Sequence, residues 1–137
     1  MGFELIPIQF NKIMQSQNYT VFILGTDEKQ FAIYTSPHVG QNLQMHLAEQ
    51  IKPRPYTYDL INSLFNGLDI SILQVVITDV QDTLYFARLF VEQELDGKLR
   101  ILEIDARPSD CLTLALENDI PIFCTREVFE KTIPIDE

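Results

Sequence analysis

The stretch Arg100–Asp119, RILEIDARPSDCLTLALEND, constrains the fold more than any other part of the chain. Leu102 and Ile104 alternate with Glu103 and Asp105, the period-two pattern of a half-buried strand. Pro108 then suits the first turn of a helix, because its missing N–H costs nothing there and its fixed φ fits the turn. Leu112, Ala115 and Leu116 supply an apolar stripe behind it. A strand therefore runs directly into a helix, and the junction sets two carboxylates, Asp105 and Asp110, and one guanidinium, Arg107, beside the helix N-terminus.

The flanking sequence supplies partners for this unit. Three strands precede it as a meander over residues 3–35: an opening strand Phe3–Met14, in which Pro7 marks an edge or bulge, then Tyr19–Leu24, then Gln30–Thr35. Ser36-Pro37 starts a helix with Val39, Leu43, His46 and Leu47 near one face, ending before Lys52-Pro53. After the rigid Pro53-Arg54-Pro55, a second helix begins at Tyr56 or Thr57. Its apolar face is Leu60, Ile61, Leu64 and Phe65, and Gly67 is the expected terminator. Ile70–Thr78 and Thr83–Glu92 pair around a turn at Asp79–Asp82. On the second of these, Tyr85, Ala87, Leu89 and Val91 oppose Leu84, Phe86, Arg88 and Phe90. Asp96-Gly97 then turns the chain into the central strand. Ile120–Cys124 is a short strand, Thr125 a weak cap for a terminal helix, and the acidic tail beyond Pro134 is expected to fray.

This gives a single-domain α+β fold with a bent, mixed, mostly antiparallel sheet and three main helices. At 137 residues the chain can build a core without staples. Two cysteines, Cys111 and Cys124, make neither a disulfide framework nor a zinc motif; both read as packed residues. No run of about 18 apolar residues is present, and no basic region followed by an apolar core opens the chain, so no membrane is expected and the default location is cytoplasmic. The net charge of −10 falls mainly on the C-terminal half, where residues 69–137 carry six Lys/Arg and fifteen Asp/Glu. That sign disfavours a broad surface tracking RNA or DNA phosphates.

Arg54-Pro55 and Arg107-Pro108 each precede a helix whose opening turn contains an acid, Asp59 or Asp110. If the two helices converge, the arginines suit a phosphodiester, while Asp59, Asp105 and Asp110 suit a hard divalent cation or an attacking water. The same residues equally suit an internal Arg–Asp network that locks the loops, and spacing alone favours that brace. Asp59 has the further structural reading of a first-turn charge. His46 reads as a packed imidazole and His38 as an exposed one.

The segments RPYTYDL, LYFARL and IDARPSDCLTLAL, in that order, resemble the bifunctional nuclease domain family over about residues 3–131. The resemblance implies a compact, self-associating α+β protein related to a plant nuclease that acts on RNA and DNA. It places the family's Arg-Pro on Arg54 and Pro55, its Thr on Thr57 and its acid on Asp59. Asp105, Ala106, Arg107, Pro108, Ser109 and Asp110 agree with its pattern. Three segments depart: Tyr58 stands where the family has His, Val39-Gly40 where it has Glu-Ala, and Tyr85-Phe86-Ala87 where it has Phe-Tyr-Ala.

The expectation carried forward is a nuclease-like hydrolase. Asp59, Asp105 and Asp110 are its catalytic carboxylates, with Asp105 and Asp110 the ligands for Mg2+ or Mn2+. Arg54, Arg107, Thr57 and Ser109 bind substrate. Two alternatives stand beside it: a non-catalytic, homo-oligomeric protein-interaction or regulatory domain, and a sensor of a small anion using the same helix starts.

Overall fold

A computed structural model describes residues 4–135. The elements run β1 (Leu5–Gln15), β2 (Thr20–Gly25), β3 (Gln30–Thr35), α1 (Pro37–Leu47), α2 (Thr57–Gly67), β4 (Ile70–Gln81), β5 (Leu84–Leu95), β6 (Lys98–Ala106), α3 (Pro108–Asn118), β7 (Ile122–Thr125) and α4 (Arg126–Lys131). The strands form one seven-stranded open sheet in the order β3-β2-β1-β7-β4-β5-β6. Two antiparallel meanders, β1-β2-β3 and β4-β5-β6, are joined by β7, which pairs antiparallel with β1 and parallel with β4. The expected α+β fold and mixed, mostly antiparallel sheet are therefore present, with three main helices and the short terminal helix expected after Thr125. Phe3, placed at the start of the first strand, lies outside the described residues.

Local chemistry accounts for most boundaries. Pro7 sits in the half of β1 that pairs with β7 alone, since pairing to β2 begins at Gln9; the strand is locally an edge, which tolerates a residue without an N–H. The β5–β6 turn, Asp96-Gly97, has φ of 53° and 75°, the pair of positive values that a two-residue hairpin of matching twist requires. Thr125 caps α4 by accepting the Val128 N–H at 3.1 Å. Ile135 donates its N–H to the Gln30 carbonyl at 3.0 Å, so the tail is held to that point.

Five readings from sequence need correction. β4 does not turn at Asp79 but runs on to Gln81, because Val80 is buried in the core and pairs with Tyr85. Gly67 is helical; the left-handed residue after α2 is Asp69, with φ 55°. On α1 the core face is Val39, Gly40, Asn42 and Leu43, while His46 and Leu47 are exposed in a last turn that leaves the core. Of the apolar face read on α2, Ile61 and Phe65 pack against the core, joined by Tyr58, while Leu60 and Leu64 face outward. β6, expected to be half-buried, is instead the last strand of the sheet. Leu99, Ile101, Leu102 and Ile104 are all exposed along it.

The core lies between the sheet and α1, α3 and α4. Phe22, Phe31, Leu43, Val75, Ile77 and Leu112 are almost completely buried in it. Ala87, Leu89 and Val91 are buried from β5, on the side read from its alternation. α3 is buried more completely than its stripe suggested, with Ser109, Cys111, Leu112, Thr113, Leu114 and Ala115 all inside. It is the central helix, and its N-terminus is consequently fixed.

Candidate functional site

β6 ends at Ala106 and α3 begins at Pro108, leaving Arg107 alone in extended backbone (φ −65°, ψ 142°) as the hinge between them. Proline at the first helical position sets the turn, and the amides of Asp110 and Cys111 both donate to the Arg107 carbonyl, each at 3.1 Å. Asp110, in that first turn, faces back toward Arg107. Arg107 Nε donates to Asp110 Oδ2 at 2.9 Å and Nη2 to Oδ1 at 3.2 Å. The Tyr58 hydroxyl, from the first turn of α2, also donates to Asp110 Oδ1, at 2.7 Å. Asp110 thereby ties α2 to α3 and orients the guanidinium.

The electrostatics follow from this arrangement. Burial and then the hydrogen bond to Asp110 push the Tyr58 hydroxyl well above its ordinary range, so it stays a donor. The hydrogen bond from Arg107 to Asp110 raises the guanidinium's affinity for its proton further. Arg107 is nevertheless three-quarters exposed, at 75%, against 28% for Asp110. Its Nη1 has no hydrogen bond shown among the described residues, and its position at the surface leaves it accessible to a ligand.

The trio sits at the mouth of a cavity of about 790 Å³. The cavity lies between the starts of α1, α2 and α3 and the end of β6, and Thr57 and His38 line it with Arg107 and Asp110. Apolar side chains of α1, α2, β5, β6 and α3 form much of the rest of its wall. Arg107 also borders a second groove of about 480 Å³, which holds Asp105 and Ser109. Asp105 is highly exposed, at 76%, and lies 3.9 Å from Arg88, which also pairs with Glu103 at 3.5 Å. Arg88 thus bridges the outer face of β5 and β6. Ser109 is buried.

The two Arg-Pro helix starts do not share a groove. Arg54 and Asp59 line a third, open depression with His46 and Lys52. Both oxygens of Asp59 accept from Lys52 Nζ at 3.1 Å, and Oδ2 accepts the Tyr56 N–H at 2.7 Å. That backbone bond, reinforced by Lys52, holds the Asp59 carboxyl below its usual range. The acid completes half of a capping box and anchors the entry to α2.

Divalent cations of the Mg2+ or Mn2+ kind require several oxygens on one side. Asp105 and Asp110 open on different grooves, and both Asp110 oxygens are engaged, so the pair does not frame a shared ion as placed. Among the described residues no group of three His, Cys, Asp or Glu side chains is arranged to hold a metal. His38 and Tyr58 are the site residues that sequence reasoning passed over. A lone imidazole after a helix cap carries no spacing signal, and Tyr58 read only as a lost histidine.

The family model for the bifunctional nuclease domain matches residues 22–135, which include every residue described above at the three grooves. Two uncharacterized proteins of Mycobacterium tuberculosis, from strains CDC 1551 / Oshkosh and ATCC 25618 / H37Rv, are each 28% identical over 122 residues, covering 88% of this chain and 70% of their own.

Proposed function

This chain belongs to the bifunctional nuclease domain family, and we propose that it hydrolyses phosphodiesters of RNA or DNA at the mouth of the 790 Å³ cavity. The observation that supports this reading is the meeting of Arg107, held by Asp110 and Tyr58, with Thr57 and His38 on one opening. Arg107 binds a nonbridging phosphate oxygen through the edge not committed to Asp110, and Thr57, at the start of α2, donates a hydroxyl to the same group. His38, the exposed imidazole facing the opening from α1, takes the proton from the attacking water. That water's oxygen bonds to phosphorus as the bond to the leaving oxygen breaks. Asp110 is a positioning residue in this scheme.

Asp105 and Ser109 flank the neighbouring groove, where the strand beyond the scissile phosphate would run; a cation held by the exposed Asp105 would help neutralise it. Asp59 supports the geometry of α2, and Arg54 lies beside it on the separate depression. The assay is cleavage of labelled single- and double-stranded RNA and DNA with Mg2+, with Mn2+ and with chelator. His38→Ala is expected to lower kcat by about 10²–10⁴ with the fold intact. Absence of cleavage by the unaltered protein under all three conditions discards the reading.

A second feature supports self-association. Leu60 and Leu64 on α2 and Leu68 just after it stand at i, i+4 and i+8, each more than half exposed at 56%, 52% and 54%. β6 adds Leu99 and Ile101, about 60% exposed, on a strand at the end of the sheet. Contiguous apolar faces and unpaired sheet edges of this kind mark interaction surfaces. The proposed partner is a second copy of the chain.

A further inference from the structure

The interior of the cavity has no part in the proton transfer and phosphate binding proposed at its mouth. Its volume of about 790 Å³ lies within the range of about 300–1,000 Å³ usual for small-ligand sites. The walls are Val39, Ile61, Phe65, Leu89, Ile104 and Leu114, from five different elements. Such a chamber would dehydrate a sugar–phosphate backbone without replacing its hydrogen bonds, which is unfavourable. A flat aromatic ring suits it, with the faces of the ring against the apolar walls and its polar edge toward the Gln41 amide. At the entrance the Gln41 side chain and the Tyr58 ring offer an amide and an aromatic surface, and the Arg107 guanidinium supplies the positive charge. Apolar depth with a cationic rim on one side is complementary to a molecule that is aromatic at one end and anionic at the other.

We propose that the cavity between α1, α2 and α3 receives the unstacked base of the nucleotide whose phosphate lies on Arg107, so that the substrate class is single-stranded nucleic acid. This rests on the cleavage reading for the position of the phosphate, but the base site can be tested without any cleavage. Paired bases inside a duplex are held in the stack and cannot enter a pocket, whereas an unpaired strand offers its bases freely. The charge of the whole molecule is consistent with this division. With a net charge of −10, attraction along a backbone is poor, and a buried base gives binding that does not depend on a broad cationic surface.

The experiment is calorimetric titration of the whole chain with adenosine 5′-monophosphate and uridine 5′-monophosphate, and separately with adenosine and with inorganic phosphate. Ile104→Trp, which narrows the chamber from an exposed edge-strand position, is compared in parallel, with Phe65→Ser as a second variant should the first fail to fold. Thermal unfolding verifies the fold of each. The expected result is saturable binding of a monophosphate, tighter than either adenosine or phosphate, and weakened about tenfold or more by the chamber variant. Cleavage of single strands is expected to exceed that of the same sequence in duplex.

Failure of both monophosphates to bind overturns the base site, even if the protein cuts nucleic acid; so does equal binding by unaltered protein and a folded chamber variant. Monophosphate binding that the variant weakens, with no cleavage of any polymer, upholds the base site and discards the hydrolytic reading instead.

Discussion

At the residue scale, the Arg107–Asp110 pair was visible in the sequence because a proline fixes the helix start and the acid follows three residues after the arginine. What spacing could not show is the third member. Tyr58 lies 52 residues away from Asp110, and only the packing of α2 against α3 brings its hydroxyl to 2.7 Å. Two buried thiols give a further residue-level expectation. Burial, with the charges of Asp110 and Asp105 nearby, pushes the Cys111 thiol up to about 12, and burial pushes Cys124 up to about 11. Tyr85 is raised for the same reason, with Cys124 adding to it. In the unfolded chain thiols lose their protons from about pH 8.5, while the folded ones keep theirs, so the folded state binds more protons in that interval. Stability contributed by these groups is complete below that pH and is lost as pH rises toward the folded values. Urea midpoints are therefore expected to fall between pH 8 and about 10.5, and Cys111→Ala should flatten the decline. A midpoint constant over that range would count against the buried, neutral thiols.

At the element scale, period and turn chemistry made most of the chain readable. β3, the β5–β6 turn and the β6-to-α3 transition lie where local pattern places them, because alternation, Asp-Gly and a first-turn proline each leave few choices. Exposure was less readable. Alternating Leu and Ile in β6 resembles a strand packed on one face, yet whether a strand is central or terminal depends on the order of the sheet, which no local pattern carries. The same applies to Leu60 and Leu64 on α2, whose helical period is real but whose outward half meets nothing in the fold. α1 shows how tertiary context reverses a propensity. Alanine ordinarily improves a helix over glycine by about 1 kcal/mol. At Gly40, however, a Cβ would lie 2.0 Å from Gln15 Oε1 and 2.5 Å from Thr20 Oγ1. Those atoms are not free to retreat: Thr20 is fully buried, its hydroxyl donates to Gln15 Oε1 at 3.0 Å, and it accepts the Gly40 N–H at 3.1 Å. Gly40→Ala is expected to destabilise the protein by about 1–3 kcal/mol, read as a lower urea midpoint with an unchanged slope. An equal or higher midpoint would show that α1 can shift away from β1 and β2.

At the scale of the whole molecule, the arrangement separates the two surfaces. The cavity opens where α1, α2 and α3 begin, while the apolar stripe of α2 and the outer edge of β6 face away from the core. Among the described residues no helix is long and apolar enough to cross a membrane. The proposed occupant of the stripe is a second copy of the chain. Leu64→Asp is expected to shift the sedimentation coefficient to that of a monomer at micromolar concentration, because a charge at the centre of an apolar interface cannot be solvated there. An unchanged coefficient would move the interface elsewhere. Convergence of the two Arg-Pro helix starts, which spacing left open, is a property of the whole fold. Arg54 and Asp59 line one depression, where Asp59 anchors the start of α2, and Arg107 and Asp110 border another.

In the proposed reaction Arg107 binds the phosphate that is cut. Steady-state cleavage of a labelled single strand by the unaltered protein and by Arg107→Ala, each verified as folded, isolates that role. Loss of an exposed ion pair should change stability by no more than about 1 kcal/mol. The expected result is that kcat/KM nevertheless falls at least about a hundredfold, as removal of a charged transition-state contact does. Equal cleavage by the two proteins would remove Arg107 from the reaction.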